Sequence, residues 1–133
     1  LSQCTVDRSY SGFRRALKQL QKKFPKIDLD LQDAISKIEN DYENACNAFC
    51  VPMPNLPDLQ KRIYKYDIGS RDLRKHPREC FRLICAFLPS YDDRQILSAL
   101  LLYHRSDVSN ISAKDIAEEI KKLKAQIEEL PGA

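Results

Sequence analysis

Phe13, Ala16, Leu17, Leu20 and Phe24 recur three and four residues apart, with Arg14, Arg15, Lys18, Lys22 and Lys23 largely on the intervening positions. This spacing predicts an amphipathic helix with one buried stripe, and Pro25 ends it. Before it, Gln3–Val6 suits a short strand, and Asp7, Ser9 and Ser11 are candidate helix caps. Asp28 and Asp30 favour the start of a second helix, whose stripe is Leu31, Ala34, Ile35, Ile38 and Tyr42. The two helices should form a hairpin over about residues 9–48.

Val51-Pro52-Met53-Pro54-Asn55-Leu56-Pro57 carries three prolines, which exclude helix and central strand, so 51–58 reads as a loop. The pattern then changes to runs of β-branched, aromatic and aliphatic residues. Arg62–Asp67, Cys80–Leu88 and Gln95–Tyr103 read as three strands, with a turn over 88–94. Ser112 and Asp115 open a last helix over about 112–130 in the manner of a capping box. Its apolar positions Ile116, Ile120, Leu123, Ile127 and Leu130 form a narrow seam, which fits packing on the protein's own sheet or, alternatively, a dimer or partner-helix surface. The 133 residues thus make one α+β domain, 1–133, with the sheet over about 61–104.

Composition is that of an ordinary folded chain, 43% hydrophobic and 31% charged. The longest apolar run, Ile96–Tyr103, is diluted by Ser98 and Ala99 and falls short of the roughly 18 residues a membrane span needs. Leu1-Ser2-Gln3-Cys4 has neither a basic nor an apolar leader region, so no signal peptide and a cytoplasmic location are expected. The odd number of cysteines (Cys4, Cys46, Cys50, Cys80, Cys85) points to reduced thiols, and their spacings are wider than a zinc knuckle's, so no metal and no cofactor are expected.

The net charge of +3 is too small to indicate a nucleic-acid partner by itself. Its distribution is more informative. Lys61, Arg62, Lys65, Arg71, Arg74, Lys75, Arg78 and Arg82 face only Asp67, Asp72 and Glu79 within residues 61–82, a local +5 that leaves the remainder at −2. A cationic segment confined to two strands and their loop suits a phosphate backbone, with Lys61, Arg62, Arg71, Arg74, Lys75 and Arg78 as candidate RNA contacts. The alternative is a solvated loop whose arginines pair with those three acids.

With three glycines, no phosphate-cradling loop, no Ser/His/Asp elbow and no metalloprotease helix, the common motif enzymes are excluded. Five polar residues are costly within apolar strands unless they have partners: Lys65, Arg82, Tyr103, His104 and Arg105. Alternation sets Arg82 with Ile84, Ala86 and Leu88, opposite the bulkier face of Phe81, Leu83, Cys85 and Phe87, which the helices should cover. Tyr103 and Arg105 fall on one face and His104 on the other, so all three can line one site only if the strand ends near residue 103. Such a set suits RNA cleavage by the ribose 2′-hydroxyl, which needs a base, an acid and cations around the phosphorane. His104 would be acid or base, Arg82 and Arg105 would hold phosphate oxygens, Tyr103 would stack or move a proton, and Lys65 would stabilise charge or act as base.

Ile63-Tyr64-Lys65-Tyr66-Asp67-Ile68, Phe81-Arg82-Leu83-Ile84, Leu102-Tyr103-His104-Arg105-Ser106-Asp107 and Ile111-Ser112-Ala113-Lys114 occur in an order that resembles the RelE-like branch of the RelE/ParE toxins, over about residues 61–120. The resemblance implies a helical hairpin packed on one face of a small, mainly antiparallel twisted sheet, plus the C-terminal helix. It implies a toxin of a toxin-antitoxin pair, an mRNA endoribonuclease acting on ribosome-associated mRNA without a metal, with a cognate antitoxin as partner and no membrane. The family's strand arginine corresponds to Arg82, its strand-end lysine to Lys65, and its fourth-strand polar cluster to Tyr103, His104 and Arg105. Where family members often carry glycines before Phe-Arg, this chain reads His76-Pro77-Arg78-Glu79-Cys80. The alternatives are a ParE-like toxin that binds DNA gyrase, or a catalytically silent interaction module of the same fold.

Overall fold

In the computed structural model, which describes residues 4–40, 63–88, 95–108 and 111–128, β1 (Cys4–Asp7) leads into α1 (Ser11–Lys23) and α2 (Ile27–Asn40). There follow β2 (Ile63–Ile68), one 3-10 turn (Pro77–Glu79), β3 (Phe81–Leu88), β4 (Gln95–His104) and α3 (Ala113–Glu128). The proline-rich loop, Tyr42, Lys61, Arg62, the turn at 89–94 and Leu130 lie outside the described residues.

The four strands form one sheet in the order β1-β4-β3-β2. β2 with β3 and β3 with β4 are antiparallel, as expected for neighbours joined by short connections, whereas β1 runs parallel to β4 at the far edge. The fold is therefore α+β: two N-terminal helices on a mixed, mostly antiparallel sheet, with a C-terminal helix added. Phe24, at the end of α1, meets Phe81 edge-on at 5.0 Å and the His104 ring at 4.9 Å, so Phe81 and His104 belong to the face that the hairpin covers. Leu83, Cys85, Leu97 and Leu102 continue that face and are buried.

Local chemistry explains the element ends. Pro25 stops α1 after Phe24, whose N–H still donates to the Leu20 carbonyl at 2.7 Å. Asp28 and Asp30 occupy the first turn of α2, where the helix dipole favours acids. Ser112 accepts from the Asp115 N–H at 3.1 Å and caps α3, the expected role. The N-cap of α1 is instead Tyr10, without a side-chain cap, because Asp7 spends its carboxylate on the Ser9 N–H and hydroxyl.

Ile116, Ile120 and Leu123 of α3 are buried in this chain's own core, while Ile127 is 41% exposed. Polar contacts fix the helix as well. The Tyr10 hydroxyl donates to Glu119 at 2.5 Å, and Gln126 accepts from the Ser11 N–H and donates to the Ser9 carbonyl. Gly12 lets this happen, since a Cβ there would lie 2.7 Å from the Tyr10 ring. Burial, reinforced by the Glu119 carboxylate, pushes the Tyr10 phenol far above its ordinary 10.0. A raised native value means that the contribution is complete below about pH 10 and is lost as pH climbs through the native value. Tyr10→Phe should cost about 2 kcal/mol at neutral pH, by loss of a bond to a charged acceptor. Melting followed by circular dichroism between pH 8 and about pH 11 should show a decline that is shallower in Tyr10→Phe than in the parent.

Candidate functional site

The C-terminal end of β2, the N-terminal end of β3 and the C-terminal end of β4 meet at one end of the sheet, where Ile68, Phe81 and His104 form the last rung. One rung inward, Asp67, Arg82 and Tyr103 are direct cross-strand partners on the face opposite the hairpin. Arg82 donates from Nε at 3.3 Å and from Nη2 at 3.2 Å to the same Oδ1 of Asp67. Arg105, just past β4, brings Nη1 to 3.8 Å from that oxygen. Lys65 lies two residues before Asp67 on the same side of β2, opposite Ile84.

Lys65, Arg82, Tyr103 and Arg105 are thus brought to one face, around a carboxylate. Three cations against one acid leave the cluster positive. Arg82 is only 14% exposed and Arg105 24%. Among the described residues, Nε and Nη1 of Arg105 are buried and have no hydrogen-bond acceptor. Unmet guanidinium donors beside a half-neutralised arginine form an anion-seeking arrangement, because burying such donors without acceptors is costly. Burial also raises the Tyr103 phenol above its usual value, with Arg82 beside it partly opposing. At neutral pH Tyr103 is a neutral hydroxyl, able to give a proton but not to take one.

His104 does not join this cluster. β4 continues one residue beyond 103, so alternation turns the imidazole beneath the hairpin, 7% exposed between Phe24 and Phe81. Its Nδ1 sits 2.9 Å from the Ser106 hydroxyl and 3.7 Å from Asp107. The ring closes the core at this end of the sheet. The face carrying Arg82 is also less open than expected, since Ile63, Ile84, Ala86 and Ser98 are buried there too; Lys65, Arg82, Leu101 and Arg105 are partly exposed at this end of it.

Of the candidate RNA contacts in the loop, Arg71 is engaged in holding the loop to α2. It pairs with Asp30 and Asp33, and its N–H donates to Asp30, a buried carboxylate whose charge it offsets. Asp72 accepts from the Lys26 N–H and adds a second tie. His76 accepts from the Arg78 N–H and, with Pro77 behind it, starts the 3-10 turn that leads into Cys80. Arg74, Lys75 and Arg78 remain exposed on the loop that leads into Arg82. Among the described residues, no group of three His, Cys, Asp or Glu side chains could hold a metal ion, and Cys80 and Cys85 are buried in the core.

Asp67 was not among the sequence candidates, where it counted as charge to be subtracted and as one of three acids with which arginines of this segment could pair, as Arg82 does. The signal that could have found it is its place two residues from Lys65, on the strand that pairs with Arg82. No protein-family model, curated protein or solved structure matches the chain.

Proposed function

We propose that this protein is a metal-independent endoribonuclease of the toxin type, one that cuts mRNA, with the ribosome as the setting and an antitoxin as its restraint. What carries the reading is the convergence of Lys65, Arg82, Tyr103 and Arg105 on one face at the end of the sheet, with two buried Arg105 donors unmet. Its order of residues, similar to that of RelE-like toxins, supports the same conclusion. No helix among the described residues is long and apolar enough to cross a membrane.

In this reading a phosphodiester enters beside Arg82 and Arg105, which hold its non-bridging oxygens while Lys65 adds charge. The ribose 2′-oxygen forms a bond to phosphorus as the bond from phosphorus to the 5′-oxygen breaks, giving a cyclic phosphate and a free 5′-hydroxyl. Tyr103, kept protonated by burial, supplies the proton to the departing 5′-oxygen, and the Asp67 carboxylate, released from Arg82 by the incoming phosphate, takes the proton of the 2′-hydroxyl. His104 serves the fold, not the chemistry, because its ring lies on the other side of the sheet.

Induced expression in a bacterial host, followed by mapping of transcript ends, tests the proposal. The expected result is growth arrest with new 5′-hydroxyl ends inside coding regions, concentrated on ribosome-bound messages. Arrest with intact transcripts would sink the nuclease reading and direct attention to gyrase; neither arrest nor cleavage would leave a silent binding module.

A further inference from the structure

The whole-chain balance conceals a second cationic region. Between Arg8 and Lys26 there are seven basic side chains and no acid at all, a denser run than the loop leading into Arg82. All seven are exposed, and none forms an ion pair among the described residues. Within α1, Arg14, Lys18 and Lys22 stand four residues apart on its outward side, with Arg15 beside them. Successive members of that row rise about 6 Å along the helix axis. Ser11, Arg14, Arg15, Leu17, Lys18 and Gln21 line a shallow depression of about 480 Å³ there.

Only at its last turn, where Lys22 and Lys23 complement the dipole, does the helix gain from this arrangement. Like charges four apart weaken an isolated helix, and Arg14 and Arg15 sit toward the positive end of its dipole, where the first turn holds no acid. We infer that the outward face of α1 is a docking surface for the phosphate backbone of a structured RNA. A phosphate polymer fits the row better than a protein does, because the row is cationic and the one large aliphatic side chain lining the depression, Leu17, is half-buried against the core and not free to anchor a protein interface. It also fits better than a bilayer, since Phe13 and Phe24, the residues that could enter lipid, are buried in the core.

The position of the row extends the proposed function. α1 covers the face of the sheet opposite Arg82, and its basic row points away from the sheet. Sheet and helix together separate the two surfaces by roughly 15–20 Å, from a helix diameter of about 10 Å and the sheet beneath it. One RNA strand cannot lie on both surfaces by a short path. The protein would sit between two RNA segments, the scissile one at the end of the sheet and a folded one along α1, as in a cleft of a ribonucleoprotein.

The test is fluorescence anisotropy of a labelled RNA hairpin over a series of salt concentrations, with the parent chain and Arg14→Gln/Lys18→Gln/Lys22→Gln. Glutamine keeps the helix propensity, so the triple variant should melt at or above the parent temperature. The expected result is affinity at least about tenfold lower in the variant, with the slope of log affinity against log salt reduced by about three, one for each cation removed. Unchanged affinity and slope would overturn the inference. So would binding to phosphatidylserine vesicles that is lost in the triple variant while hairpin binding persists. The readout is binding, so it stands if the parent cuts no RNA; conversely, cleavage of a short single strand by the triple variant would show that the two surfaces fail separately.

Discussion

Arg82→Ala should lower RNA cleavage by about 10²- to 10³-fold, the usual loss when a preorganised donor to a developing negative charge is removed. The effect should fall on the chemical step. Arg82 lies between Asp67 and Tyr103 and is mostly buried, so its guanidinium is fixed before substrate arrives. Its loss removes the paired donors and leaves Asp67 to face Arg105 alone. Arg82→Lys keeps the charge but not the fork, and should recover only part of the rate. Single-turnover cleavage of a labelled oligonucleotide reads the difference, with circular dichroism verifying the fold. A variant that cuts as fast as the parent would remove Arg82, and with it this end of the sheet, from the reaction.

The largest loss of stability should come from Phe81→Ala, about 3–5 kcal/mol. Phe81 is fully buried, edge-on to Phe24 at 5.0 Å and tilted against His104 at 5.5 Å, so its removal opens a cavity that α1 and β4 cannot both close. Urea unfolding should show the change as a lower midpoint with the slope kept, and the melting temperature should fall by about 10 °C or more. Leu29→Ala, at a position 50% exposed, should stay within about 0.5 kcal/mol of the parent. Comparable losses at both positions would mean that the core is not centred where Phe24, Phe81 and His104 meet.

The elements themselves were legible because each carries its own period. The α1 stripe of Phe13, Leu17, Leu20 and Phe24, the apolar runs of β3 and β4, and the Ser112 cap are signals confined to a few residues. The parallel pairing of β1 with β4 was not, since it joins residues about ninety positions apart and no local feature of Cys4–Asp7 states the direction of its neighbour. In the candidate site, alternation put Tyr103 and Arg105 on one face of their strand, but that face is shared with Arg82 and Lys65 only through the strand register and the extra residue Leu100. Asp67 could not be weighed without the register that sets it against Arg82, and His104 depended on whether β4 stopped at 103 or 104. The cations of α1 were visible as letters, but a single charge total for the rest of the chain averaged them against acids elsewhere.

β4 contains one irregularity: Leu101 pairs with Ile84 and Ala99 with Cys85, so Leu100 is an extra residue in the ladder. Counted from Leu97 on the helix-covered face, strict alternation would carry Tyr103 under the hairpin and leave Leu102 beside Arg82. The extra residue reverses that parity, and the phenol lies with the arginines. Were the bulge expelled toward the end of the strand, a leucine would lie against the Asp67–Arg82 pair and Arg105 would be drawn toward the apolar side, a penalty that holds the register in place. Deleting Leu100 is a different operation. It keeps every pair above and below and removes only the local bend, so the tilt of this end of the sheet can change by the loss of one codon while its chemical contents stay the same.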